Sequence, residues 1–108
     1  MVLTMTITRT EIPLSLNQKW TDNLSRHEKD SYLNEVDNRF PEYLAEAHND
    51  EMYAIWLLLV DRTMGQQFGF IRSGLPYWSW QDSYADGDSP EDAIHEFMQD
   101  QMDNFLKV

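Results

Sequence analysis

The sequence predicts an α+β fold in a single domain over residues 1–108, and three observations carry that expectation. Leu3, Met5 and Ile7 alternate with Thr4, Thr6 and Thr8, the period of two of a half-exposed strand. Residues 52–60 are apolar on both faces of such a pleat, as at the buried centre of a sheet. Near the end, Ser89-Pro90 followed by apolar residues at helical spacing marks an amphipathic helix. The resulting architecture is an N-terminal strand, a helical segment, a three-stranded antiparallel meander and a C-terminal helix packed on the sheet.

Taken in order, the first strand ends before Pro13, which has no N–H to offer a ladder, and its threonine face makes it a candidate edge. Residues 15–48 read as two or three short helices. Leu16, Trp20 and Leu24 are four apart, and Ser25 with Glu28 has capping-box spacing. Tyr32, Leu33, Val36 and Phe40 continue the stripe, Pro41 breaks it, and Tyr43, Leu44 and Ala47 extend it. His48-Asn49-Asp50-Glu51 then closes the helical segment.

The meander follows as residues 52–60, 67–71 and 77–84. Its turns fall at Asp61-Arg62-Thr63-Met64-Gly65 and Ser73-Gly74-Leu75-Pro76. After the turn Asp86-Gly87-Asp88, Ser89 is the N-cap of the last helix and Pro90 its first residue. Ala93, Ile94, Phe97, Met98, Gln101, Met102 and Phe105 form its inner arc. At about 100° per residue, Asp92, Glu96, Asp100 and Asp103 fall within roughly 80° on the other side.

Composition narrows the function classes. An apolar content of 42 % is too high for a disordered acidic tail. The chain has no cysteine, which removes disulfides, thiolate metal sites and cysteine nucleophiles. The opening residues lack a basic region and an apolar core, so no signal peptide is expected. The longest apolar run, residues 54–60, is far short of the roughly 20 residues of a bilayer-spanning helix. The cytoplasm is the expected location.

Charge is the most uneven property of the sequence. The net charge is −11, yet residues 1–39 carry six acids and five bases. Residues 40–72 carry five acids and two bases, and residues 73–106 carry eight acids and no lysine or arginine. Such a balance opposes direct binding of DNA or RNA, whose phosphates select basic surfaces. Acidity also serves solubility, and Asp82, Asp86, Asp88 and Glu91 are oxygen ligands of the kind calcium takes, without the spacing of an EF-hand loop. The third reading is a surface complementary to a basic partner.

No constellation in the chain predicts a catalytic residue, a metal site or a cofactor. His27, His48 and His95 have no zinc-ligand spacing. Asp61, beside Arg62 at the end of the apolar run, reads as a turn residue. Trp20 and Trp56 read as core. Within Tyr77-Trp78-Ser79-Trp80, the two tryptophans share a face and cover the core; an exposed recognition platform is the alternative.

Residues Leu57-Leu58-Leu59-Val60-Asp61, Gly65 and Gly69-Phe70-Ile71 are similar to the central hairpin of the GNAT acetyltransferases. The resemblance covers about twenty residues and would imply acetyl-CoA binding. The glycine spacing of that family's pyrophosphate loop is absent from residues 81–88, which carry carboxylates instead.

The expected function is therefore that of a non-enzymatic acidic binder occupying the basic surface of a nuclease or another nucleic-acid-binding protein. It would contact neither nucleic acid nor membrane directly. In size and charge the chain is similar to immunity proteins, antitoxins and phage anti-defence inhibitors, including anti-CRISPR proteins and DNA mimics. Asp82, Asp86, Asp88, Asp92, Glu96, Asp100 and Asp103 would steer and dock, with Tyr77 or Tyr84 as anchor. The alternative is a small structural or regulatory subunit pairing through the Thr-rich sheet edge, as in a homodimer.

Overall fold

The longest apolar stretch of the chain is a helix, and the other described helices are packed around it. The computed structural model describes residues 19–106, with side chains as far as residue 103. Among them are five α-helices: α1 (Arg26–Arg39), α2 (Glu42–Glu46), α3 (Glu51–Phe68), α4 (Trp80–Ala85) and α5 (Pro90–Leu106). Short 3₁₀ turns lie at Trp20–Asn23 and Arg72–Gly74. The described residues contain no strand, which overturns the α+β expectation and its meander. The Thr-rich strand over residues 3–8, on which edge pairing rests, lies outside the described residues.

The reason is visible in α3. Ala54, Ile55, Trp56, Leu57 and Leu58 are all at most 3 % exposed. Five consecutive residues at about 100° each cover the full helical circumference. A helix apolar all round belongs at the centre of a helical domain, just as a strand apolar on both faces belongs at the centre of a sheet. The composition of residues 52–60 is the same in either case, and length decides between them. Asp50 accepts a hydrogen bond from the Tyr53 N–H at 3.1 Å and starts the helix. Gly69, left-handed at φ 79°, stops it with its N–H on the Gly65 carbonyl. The 18 residues between these signals exceed any ordinary strand.

Residues 61–65, read as a turn, are therefore mid-helix, and the hairpin similar to the acetyltransferases does not exist. The second and third predicted strands are corrected in the same way. Phe68 ends α3, and its ring stacks on Phe70 across the cap at 5.7 Å. Trp80 opens α4, where the aromatic alternation of residues 77–84 gives way to packing on α5. Trp78 and Trp80 meet edge to face at 6.4 Å, and each ring lies 5.5 Å from that of Phe97. The expected covering of the core is thus reached by another backbone path.

The helical segment and the last helix match their signals. Ser25 and Glu28 form a reciprocal capping box at the start of α1. Pro41 caps α2, and His48 and Asn49 leave it in left-handed conformation at φ 53° and 68°. Ser89 Oγ accepts from the Asp92 N–H at 3.0 Å to start α5. Helix α3 packs against α5, α1, α2, α4 and the first 3₁₀ turn, which places Val36, Ala47, Tyr84, Ala93, Ile94 and Phe97 around it.

Candidate functional site

Helix α5 divides into two faces. Ala93, Ile94 and Phe97 are buried against the core, while Asp92, Glu96 and Asp103 are exposed and Asp100 is half-buried. Met102, placed on the inner arc from sequence, is 55 % exposed. It stands about 140° round the helix from Phe97, too far to reach the core. Phe105 lies beyond the described side chains.

The turn before α5 brings two more carboxylates to the acidic face. Asp86 is the C-cap residue of α4, Gly87 is left-handed at φ 89°, and Asp88 leads into Ser89. The turn is fixed from below, because the indole Nε1 of fully buried Trp56 donates to the Asp88 carbonyl at 2.9 Å. Asp88 thereby comes within hydrogen-bonding reach of the Glu96 carboxyl. That contact holds the Glu96 pKa above the usual carboxylate value, with further upward contributions from burial and from the charges of Asp88, Asp86 and Asp92. Asp86, Asp88, Asp92 and Glu96 are therefore one electrostatic cluster. Asp82, exposed in the first turn of α4, is not among the groups acting on Glu96, and Asp100 and Asp103 extend the same arc of α5.

Bases do not dilute this cluster from α3 or the loop after it. Arg62 is committed to Glu35 at 2.8 Å, lowering that carboxyl's pKa, and Arg72 to Glu46 and Asp61. Lys19 approaches α4, its ammonium 6.0 Å from the Tyr84 ring centre.

Crowded carboxylates make a testable demand on stability. A folded-state pKa raised above the unfolded value means that the fold binds this proton more tightly. Stability is then highest below the unfolded pKa and is lost as pH rises through the folded one. Glu96→Gln should stabilise the protein at neutral pH by about 0.4–1 kcal/mol, through relief of its i,i+4 repulsions with Asp92 and Asp100. The gain should shrink toward acid pH, as followed by urea denaturation at pH 7 and pH 4.

The two tyrosines considered as anchors part company. Tyr77 is 88 % exposed, whereas Tyr84 is 6 % exposed. Tyr84 packs on Tyr53 at 4.9 Å and on Trp56 at 5.7 Å, and burial raises its phenol pKa. It holds α4 to α3 and presents no surface to a partner.

A second constellation was not legible in the sequence. Asp61, expected in a turn beside Arg62, is buried on α3 with Arg72 as its partner. Its Oδ1 accepts from the Arg72 N–H at 3.2 Å and from Nε at 2.8 Å. Its Oδ2 accepts from Arg72 Nη2 at 3.1 Å and from the Tyr43 hydroxyl at 2.8 Å. Glu46 takes the remaining side of the guanidinium at 2.6 and 3.0 Å. Burial and the hydrogen bond to Asp61 both push the Tyr43 pKa far above that of a free phenol. The signal available was Asp61 itself, a carboxylate following an unbroken apolar run; nothing in the spacing designates Arg72.

Beside this node lies an open cleft of about 440 Å³. Its lining includes Tyr77, Trp78 and Trp80 together with Glu42, Tyr43 and the Arg72 node. Asp61 already accepts four hydrogen bonds, and the lining brings aromatic rings and carboxylates into one cleft.

Comparison with family models, curated proteins and solved structures found no match for this chain, so the geometry carries the functional reading alone. Among the described residues no group of three or more histidine or acidic side chains is placed to hold a metal ion, and the calcium candidates Asp82, Asp86, Asp88 and Glu91 are not assembled into one. No described helix is long and apolar enough to cross a membrane.

Proposed function

We propose that this protein acts by binding, without turnover, and that its acidic flank occupies a basic surface on a nucleic-acid-binding protein such as a nuclease. One observation carries the reading. Residues 73–106 supply eight carboxylates and no lysine or arginine, and three of them, Asp86, Asp88 and Asp92, crowd Glu96 closely enough to raise its pKa. Like charges at this spacing lower stability. A flank that retains them gains through association with a surface of opposite sign, which speeds encounter and fixes orientation. This character belongs to small acidic inhibitors of the immunity-protein, antitoxin, anti-CRISPR or DNA-mimic kind.

The test uses the whole chain. Proteins are captured from the native host at low salt with the wild type and with the variant Asp92→Asn/Glu96→Gln/Asp100→Asn/Asp103→Asn. The captured partner should associate about 10- to 100-fold more slowly with the variant at low salt, the gap closing near 1 M salt, where screening acts within about 3 Å. Wild-type protein should also displace nucleic acid from that partner. An association rate indifferent to both the substitutions and the salt removes the proposal.

A further inference from the structure

We infer that the cleft between α2 and the loop preceding α4 is a receptor for one arginine side chain projecting from the basic partner. The partner's basic character rests on the function proposed above; the cleft itself stands on separate residues. Three features define the ligand. Tyr77 is the most exposed large hydrophobic residue described, at 88 %. An exposed tyrosine offers a large contact area for few rotatable bonds, and so at small entropic cost.

The second feature is charge. The lining contains Glu42, Glu46 and Asp61 against Arg72 as its single base. Arg72 is clamped by two carboxylates and its side chain is 9 % exposed, so it has little charge to offer an incoming anion. The lining is therefore negative overall, with exposed Glu42 free of the Arg72 clamp.

The third feature is the pairing of carboxylate with aromatic faces. A cation above an aromatic ring is attracted by its quadrupole. Guanidinium, planar and weakly hydrated, can stack on such a ring while its N–H fork meets a carboxylate, whereas an ammonium ion is a compact, strongly hydrated point charge. Arg72 already shows two of the site's carboxylates gripping one guanidinium. A second would stack at Tyr77 and meet Glu42.

The experiment titrates the neutral-capped tripeptides acetyl-Gly-Arg-Gly-amide and acetyl-Gly-Lys-Gly-amide into the full chain at low salt. The indole N–H resonances of the four tryptophans are followed by NMR. The arginine peptide should bind with a dissociation constant of about 1–10 mM, moving Trp78 and Trp80 and leaving Trp56 in place. The lysine peptide should bind at least about 3-fold more weakly. Tyr77→Ala and Glu42→Gln, both exposed positions, should each weaken the arginine peptide about 3- to 10-fold, while the four-fold α5 variant should bind it as the wild type does. Equal binding of both peptides, absence of binding, or affinity unchanged by Tyr77→Ala overturns the inference. Loss confined to the α5 variant would also overturn it, placing the peptide on the acidic flank and leaving the proposed function intact.

Discussion

Replacing Arg72 by methionine is expected to destabilise the protein by about 3–5 kcal/mol, the cost of leaving a buried carboxylate without its countercharge. Asp61 has a side chain only 8 % exposed and receives three of its four hydrogen bonds from Arg72. Against a total stability of about 5–15 kcal/mol, that loss is visible as a large fall in urea midpoint. Removing both charges is a different matter. Arg72→Met combined with Asp61→Leu should recover at least half the loss, because no buried charge is left uncompensated and Glu46 is half exposed. Arg72→Lys should recover little, since one ammonium cannot reproduce the fork that spans Asp61 and Glu46. Glu46→Gln should cost under about 1 kcal/mol, as its side chain is half exposed. A double variant no more stable than Arg72→Met would show that the node stabilises through something other than charge compensation.

Trp56→Ala is expected to cost a similar 3–5 kcal/mol, about the range for deleting a fully buried large aromatic side chain. Its indole is 0 % exposed and lies 6.1 Å from Tyr53 and 5.7 Å from Tyr84. Burial pushes the Tyr53 phenol up to about 12. The second consequence reaches the surface. Trp56 Nε1 holds the Asp88 carbonyl, so its loss frees the turn that brings Asp88 against Glu96. Trp56→Phe isolates that role: it keeps most of the ring volume, should cost about 1–3 kcal/mol for the unpaired carbonyl and the reduced packing, and should lower the Glu96 pKa toward its ordinary value as Asp88 moves away. Carboxyl NMR titration of Glu96 reads this directly. An unchanged Glu96 titration in a folded Trp56→Phe protein would show that the turn keeps its shape without the indole.

These two positions illustrate what can be read from a linear chain. Trp56 announces itself as core by the apolar residues around it. The partner of its N–H, the carbonyl of Asp88, is 32 residues away and carries no sequence mark. Asp61 likewise shows a carboxylate where apolar sequence ends, but selecting Arg72, 11 residues on, over adjacent Arg62 requires the backbone to leave α3 at Gly69 and fold back. Tyr77 and Tyr84 are the same residue type seven positions apart. Tyr84 is turned inward on α4 and buried, whereas Tyr77 stands exposed in the loop before that helix.

The sequence by itself determined the segmentation at Ser25, Pro41 and Ser89, the burial of Val36, Trp56, Ala93, Ile94 and Phe97, and the one-signed charge of the last third. Caps, proline and net charge act over a few residues or none, so they need no fold to be expressed. Residues 52–60 are a helix because the element runs unbroken from the Asp50 cap to the Gly69 stop, too long for a strand, and tertiary structure alone decided which layers cover its apolar circumference. It also decided which carboxylates converge, since electrostatic contact depends on distances set by packing between helices far apart in the chain.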